Sequence, residues 1–417
     1  MKVQVITLFD PPDSGRDEQG GFRRLALFMR ALAGLAPRID IAHLVPEAAV
    51  AAAPDAAALD RAQSGYWGHP VSVALIPRRR RQETFYTQYI AGLNRASEQP
   101  MLYPYAGAVQ AEAVGALLDQ APDLVVVNGL AAMLAVLRSG RRPARLLFDL
   151  MDVDHLVRRR WCLERPVWPG KLAMLAQLPA LAAAERQGAR RARLTTVCSR
   201  RDRAHLRGLG FPRVEMVPNA VKLPAAPPPA VRAPVLLFLG ACTYPPNVQA
   251  AERMVAKILP LVRRAVPGAR LLLAGKDSEK LPSRGAAPEG VEYLGFVDDL
   301  DALYARTRVV CCPISQGGGT RVKLVEAAGY ARPMVATRIG AEGLEFVDGE
   351  DILLRDDDAG FAAACVALLR DPEICARMGA AARVRARTLY DGDAIQDGIA
   401  RMLLGMVGGR ALPGPGA

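Results

Sequence analysis

Long hydrophobic runs are the first thing this chain lacks: no apolar stretch approaches the ~20 residues that a membrane-spanning helix requires. Its opening, MKVQVITLFD, is too short in its apolar part for a secretory signal and reads as a first strand. Together these predict a soluble, cytoplasmic protein. Cysteine is scarce, with seven residues (Cys162, Cys198, Cys242, Cys311, Cys312, Cys365, Cys375) and no CxxC spacing. That pattern predicts reduced, buried thiols rather than a disulfide framework. Aromatics make up only 6% of the chain, and none is interleaved with its basic runs. With no recognised reading motif either, nucleic acid is not an expected partner. Of the four histidines, His43, His69 and His205 show no ligand spacing, so no metal site is expected. A GxGxxG after the first strand is missing, which weakens a dinucleotide-dependent oxidoreductase. GxxxxGK[ST] is missing too, which excludes a Walker loop, and without GxSxG a hydrolase nucleophile elbow has no support.

What is present is charge of one sign, unevenly placed. Residues 1–220 carry 30 Lys/Arg against 20 Asp/Glu, whereas residues 221–417 carry 24 against 22. Runs at Arg78 to Arg81, Arg158 to Arg160 and Arg190 to Arg193 supply much of the excess. Two readings stay open. One is a solvated arginine-rich surface. The other is peripheral contact with an anionic membrane, the inner membrane in a bacterial cell, where each basic residue near the surface is worth ~1 kcal/mol.

Apolar runs recur at KVQVITL, IDIAHLV, VSVALI, DLVVVNG, RLLFDLMD and RLTTVCS, separated mostly by alanine- and leucine-rich stretches of helical period. The second half repeats the scheme with PVLLFLGA, ARLLLAG, VEYLGFV, RVVCCP, RPMVAT and DILL. Such alternation predicts parallel sheets covered on both faces. Between the halves lies the proline-rich Lys222 to Pro234, which resists helix and sheet and reads as a stiff linker. The expected fold is α/β, two doubly wound Rossmann-like domains with an interdomain cleft. The expected boundaries are 1–221, a linker 222–234, 235–390, and a C-terminal helix packing back with a tail over 391–417.

The stretch SQGGGTRVKLVEA, Ser315 to Ala327, follows a predicted strand and opens a predicted helix. Ligands of doubly wound sheets bind beyond the carboxyl ends of the strands, where Gly317, Gly318 and Gly319 fall. Thr320 reads as the helix N-cap. Arg321 and Lys323 then fall in the first turn, where the helix dipole disfavours cations by ~0.3–1 kcal/mol each. A bound phosphate would reverse that sign, taking amides, dipole and both side chains together. The alternative is a tight turn with Lys323 paired to Glu326. Glu326, two turns on, can accept two hydroxyl hydrogen bonds as from a ribose diol, and phosphate followed by ribose spells a nucleotide.

Residues 314–354 resemble the donor-site signature of family 4 glycosyltransferases, which have the GT-B fold. They look closest to the branch of exopolysaccharide- and exosortase-associated sugar transferases. FLGACTYPPNVQAAERM resembles the opening of that family's nucleotide domain, and TTVCSRRDRAHL with VEMVPNAV the close of its acceptor domain. The resemblance implies a hexosyltransferase-like enzyme. It would bind a nucleotide diphosphate sugar in the C-terminal domain and a saccharide or lipid-linked acceptor in the N-terminal one. Transfer would retain anomeric configuration and need no metal or other cofactor. Glu326 would hold the ribose hydroxyls, and Gly319, Thr320 and Arg321 the diphosphate and sugar. Many members carry a glutamate eight positions before the ribose glutamate; here Gly318 stands there.

Five further residues complete the candidates. Asp154 and His155, in DLMDVDHL, would orient the acceptor hydroxyl or the leaving phosphate; the alternative is a helix start capped by Asp152 or Asp154. Gly20 and Gly21 resemble the family's first glycine turn on the acceptor side. Arg23 repeats the conflict of a cation at a helix start; its alternative is a solvent-facing arginine. Two functions follow for test: an envelope-glycan transferase with Asp154, His155, Arg321 and Lys323 as its catalytic set, or a non-catalytic nucleotide-sugar-binding scaffold.

Overall fold

The computed structural model describes residues 1–12, 20–79, 89–164, 166–229, 231–286 and 288–408. The chain divides into two compact units, one of residues 1–218 with 394–417, the other of residues 219–393.

In the first unit seven parallel strands form one sheet: β1 (Val3–Thr7), β2 (Ile39–Val45), β3 (Val71–Pro77), β4 (Leu124–Asn128), β5 (Leu146–Asp149), β6 (Leu194–Val197) and β7 (Val214–Met216), in the order β3-β2-β1-β4-β5-β6-β7. The strands β1, β4, β5 and β6 are buried at every position. Continuous apolar runs rather than alternation are what a sheet covered on both faces needs. Sequence order reverses between β1 and β4, so the loops leaving these two strands diverge and leave a crevice at their carboxyl ends.

The second unit repeats the plan with six strands: β8 (Val235–Leu239), β9 (Arg270–Ala274), β10 (Val291–Gly295), β11 (Val309–Cys312), β12 (Met334–Ala336) and β13 (Leu353–Leu354), ordered β10-β9-β8-β11-β12-β13. All pairs are parallel. Leu236, Leu237, Val309, Val310, Met334 and Val335 are fully enclosed at the centre. Here the order reverses between β8 and β11, and the glycine triplet lies in the loop that leaves β11.

All twelve predicted strands form. The sequence reading missed only β7, three residues long and buried at one position. Six of the seven cysteines are buried, Cys242 is half-buried, and all seven are free thiols. Lys222 to Pro234, expected as a stiff spacer, is instead strapped to the second unit. Arg383 donates to the carbonyls of Pro224 and Ala225, each at 2.9 Å. Arg332 donates to those of Pro228 at 3.0 Å and Pro229 at 2.9 Å. A proline-rich segment leaves its carbonyls without ladder partners, and arginines with several donors satisfy them two at a time. Among the described residues no helix is long and apolar enough to cross a membrane.

Candidate functional site: a cationic floor at the switch point of the second sheet

The crevice between β8 and β11 is built by small residues. Strand β8 runs out at Gly240, whose amide donates to the Ala274 carbonyl at 2.8 Å. A Cβ at Gly240 would lie 2.6 Å from Lys323 Nζ and 2.9 Å from Asn247 Cγ, so only glycine admits both side chains here. Asn247 sits in the first turn of the helix Pro245–Arg253. Its amide donates to the Ala241 carbonyl at 2.8 Å, which turns its oxygen toward Lys323 Nζ, 2.9 Å away. The ammonium also lies 4.5 Å from the centre of the Phe238 ring.

Burial pushes the Lys323 ammonium down to about 8 from its usual 10.5; Cys312 opposes the fall, Arg321 adds repulsion, and Cys242 and Glu326 oppose it more weakly. An amide oxygen and a ring face are weak compensation for a desolvated cation.

The glycine loop explains itself in part. Gly317 has φ 108° and Gly319 φ 66°, backbone that side-chain-bearing residues rarely adopt. Two of the three glycines are therefore required by the turn alone. A Cβ at Gly317 would also fall 2.7 Å from the Tyr244 hydroxyl. The loop stays partly open to solvent from Gln316 to Thr320, whereas Arg321 behind it is buried.

Thr320 does not cap the helix. The helix is Val322–Gly329, its N-cap is Arg321, and no side chain caps it. Thr320 Oγ1 instead accepts from Asn219 Nδ2 at 2.8 Å. Asn219, read from the sequence as closing the first domain, opens the second unit and braces the glycine loop. The first helical turn is thus left without a side-chain acceptor, with Lys323 at its second position. Arg321 folds back on its own loop. Its Nη1 donates to the carbonyls of Gly319 at 3.1 Å and of Gly318, and its Nη2 to that of Gln316 at 3.2 Å. Its Nε is buried without a partner. The alternative pairing of Lys323 with Glu326 is not formed; Lys323 goes to Asn247, while Glu326 is buried farther along the helix. Two cations, uncapped amides and a helix start therefore converge, and among the described residues neither cation has a carboxylate partner. Such a place favours a polyvalent anion.

The first unit treats its residues differently. Gly20 and Gly21 open the helix Gly20–Ala33. At Gly21 a Cβ would meet the Phe9 ring at 2.6 Å, so this glycine makes room for an aromatic side chain. Arg23 is half-buried, and its neighbour Arg24, not noticed in the sequence, is fully buried. Arg24 Nε donates to both oxygens of Asp149 at 2.9 Å, and its Nη1 donates to the Val217 carbonyl at 2.5 Å. Thr196 and Asn128 complete the Asp149 shell at 2.8 and 3.0 Å. This cation has its anion inside the chain. Arg78 is likewise occupied, by the carbonyls of Leu44 and Leu8 at 2.6 and 2.7 Å and by Asp10 at 2.9 Å. Arg80 and Arg81 lie outside the described residues.

Asp154 and His155 begin the helix Asp154–Leu163, whose N-cap is Val153, so neither Asp152 nor Asp154 caps it. Burial, then Glu185 and Asp152, raise the Asp154 carboxyl well above the usual range, against the pull of Arg158. The His155 amide donates to Glu185 Oε1 at 3.3 Å, its Nδ1 meets Glu185 Oε2, and its Nε2 lies 2.8 Å from His205 Nε2. His205, which the sequence reading left isolated, therefore clusters with His155. With Nδ1–H donating to the carboxylate, His155 Nε2 is the acceptor for the His205 Nε2–H. Burial and the neighbouring His155 hold His205 below its usual value. Among the described residues no group of three or more His, Cys, Asp or Glu is placed to hold a metal.

Comparison with known proteins bears on this geometry. Residues 233–371, which contain the whole β8–β11 crevice, match the family model described as "Glycosyl transferases group 1". A phosphatidyl-myo-inositol mannosyltransferase of Mycobacterium leprae is 31% identical over 212 residues, 48% of this chain and 55% of that protein. A glycogen synthase of Mycobacterium tuberculosis is 28% identical over 222 residues, 50% of this chain and 52% of that protein. The chain thus spans about half the length of these curated relatives. Among solved structures, a sucrose-phosphate synthase of Thermosynechococcus elongatus superposes with TM-score 0.70 at 16% identity, covering 98% of this chain and all of that one (100%). HepE of Anabaena in complex with UDP and glucose gives TM-score 0.63 at 14% identity, over 97% of this chain and 99% of that one. The comparisons establish a GT-B fold along the chain and a likeness to group 1 glycosyltransferases centred on its second unit.

Proposed function

We propose that this protein is a retaining, metal-independent glycosyltransferase that moves a sugar from a nucleotide diphosphate sugar to a saccharide or lipid-linked acceptor in envelope or exopolysaccharide synthesis. One observation carries the reading: Arg321, buried, and Lys323, half-buried, sit at an uncapped helix start with neutral partners only. A diphosphate would satisfy the helix amides, the stranded Arg321 Nε and the Lys323 ammonium at once. Glu326, on the same helix, would take the ribose hydroxyls, and Gly317 to Thr320 would line the approach. Support comes from the family model over residues 233–371 and from a neighbouring structure with UDP bound.

In such a transfer negative charge builds on the departing diphosphate. The helix amides and Lys323 would stabilise that charge, and Arg321, turned onto its own loop, would offer its unpartnered Nε. The leaving phosphate takes the acceptor proton on the face it departs from, which preserves the anomeric configuration. Asp154 and His155, with Glu185 and His205 behind them, would orient the acceptor in the first unit. The acceptor class draws on the mannosyltransferase relative, whose name contains a phosphoinositide. A lipid-linked acceptor would bring the protein to the inner membrane as a peripheral partner.

Incubation with UDP-, GDP- and ADP-sugars and following release of the free diphosphate tests the reading. Turnover with one donor, lowered about 10²–10³-fold in Arg321→Ala, is expected. Donor binding without turnover for any acceptor supports instead a nucleotide-sugar-binding scaffold, which Gly318 in the place of the usual glutamate favours.

A further inference from the structure

The segment joining the helices Asp154–Leu163 and Pro169–Ala176 carries an exposed apolar surface beside a run of arginines. Trp161, Leu163, Val167, Trp168 and Leu172 are 39–56% exposed, and Met101 62%. These are the side chains a water-soluble surface usually hides, and six of them are gathered in one place. The gathering is built. Lys171 Nζ donates to the Glu164 carbonyl at 2.6 Å and lies 5.0 Å from the centre of the Trp161 ring, which ties the two helices together. Arg158 Nη2 reaches Met101 Sδ at 2.8 Å and draws that residue to the same place. Trp168 lies over Gly170, where a Cβ would collide with its ring at 1.6 Å.

Over residues 158–171 the chain carries Arg158, Arg159, Arg160, Arg165 and Lys171 against Glu164 alone. Arg159 is exposed. Two tryptophans with short aliphatic neighbours beside the arginine run 158–160 match the interface of an anionic bilayer, where indole rings rest at headgroup depth and arginines meet phosphates. A second copy of the chain would bring like charges face to face, which argues against self-association.

We infer that this helix pair is the surface by which the protein docks on an anionic lipid bilayer, inserting Trp161, Trp168, Leu163 and Leu172 at headgroup level. The inference deepens the membrane contact proposed above and rests on that reading. Donor binding, measured in parallel, separates a failure of the surface from a failure of the transferase.

The test uses the full chain with phosphatidylcholine vesicles and with vesicles containing phosphatidylglycerol. The wild type should sediment with the anionic vesicles at low salt, remain in solution with the neutral ones, and shift its tryptophan emission to shorter wavelength on binding. Arg159→Gln should lower partitioning roughly fivefold, and the Leu163→Ser/Leu172→Ser and Trp161→Ser/Trp168→Ser pairs at least as much, with nucleotide affinity unchanged. The emission shift of the wild type is read without any substitution, so a misfolded variant does not decide the matter. Wild type left in solution with anionic vesicles, variants that partition like wild type, or a dimer dispersed by the tryptophan substitutions would each overturn the inference.

Discussion

Lys323 is the residue on which the chemistry turns, and its protonation gives the most specific forecast. Its pKa falls to about 8 in the folded chain from 10.5, so between those values the unfolded chain binds more protons and stability rises with pH. A bound diphosphate reverses this preference by stabilising the ammonium. Nucleotide affinity should therefore hold steady from about pH 7 to 8 and then fall, approaching tenfold per unit, until the pKa of the complex is passed. Calorimetric titration across that range checks it, and Lys323→Ala should abolish the alkaline fall. Gly240→Ala tests the crevice from its other wall. Its methyl would displace the Lys323 ammonium, the far end of a flexible chain, so stability should change by about 1 kcal/mol or less while nucleotide affinity drops about tenfold. Asp149 offers the contrast of a cation already satisfied. Asp149→Ala would leave Arg24 buried and uncompensated, at a cost of roughly 3–5 kcal/mol in denaturant unfolding. None of Asn247, Arg24 or Glu185 was legible in the sequence. Asn247 sits 76 residues from Lys323 and Arg24 sits 125 from Asp149; such partners meet only once the sheet has ordered.

At the scale of elements the sequence was far more informative. A strand covered on both faces must be apolar throughout, and VVV in β4 and LLL in β9 are runs of that kind. Strand β7 escaped because three residues at a sheet edge, one of them buried, leave too little pattern. The N-cap assignment failed for a different reason. Threonine after glycines is a good cap by type, yet the hydroxyl of Thr320 is engaged by Asn219, and the helix starts one turn position later. His205 was dismissed because its partner lies 50 residues away, on a helix that begins at the end of a neighbouring strand. The glycine loop divides its task between backbone and ligand. Gly317→Ala and Gly319→Ala force positive φ on a residue with a Cβ, which costs roughly 1–3 kcal/mol. Each should lower the unfolding temperature modestly and weaken nucleotide binding in the same variant, because the loop that strains is the loop that lines the crevice.

At the scale of the whole molecule the two units share a plan but not a charge. The excess of Lys/Arg lies almost entirely before residue 221, consistent with an anionic surface as the first unit's partner and a single compact anion as the second's. The chain returns to the first unit at its end: among the described residues 394–408 group with it, and Ile399, Leu403 and Met406 of the last helix are fully enclosed. Deleting residues 394–417 would expose those side chains, each worth about 1.5–3 kcal/mol. The first unit should then unfold at lower temperature, while nucleotide still raises the transition of the second. The central claim is that Arg321, Lys323 and Glu326 form a seat for a nucleoside diphosphate. Calorimetric titration of the wild type, Lys323→Ala and Glu326→Ala with UDP, GDP and ADP near neutral pH tests it most directly. Saturable binding of one nucleotide, weakened about tenfold or more in both variants with thermal unfolding unchanged, is the predicted result. Binding equally tight in all three proteins, or no binding of any nucleotide to the wild type, would contradict it.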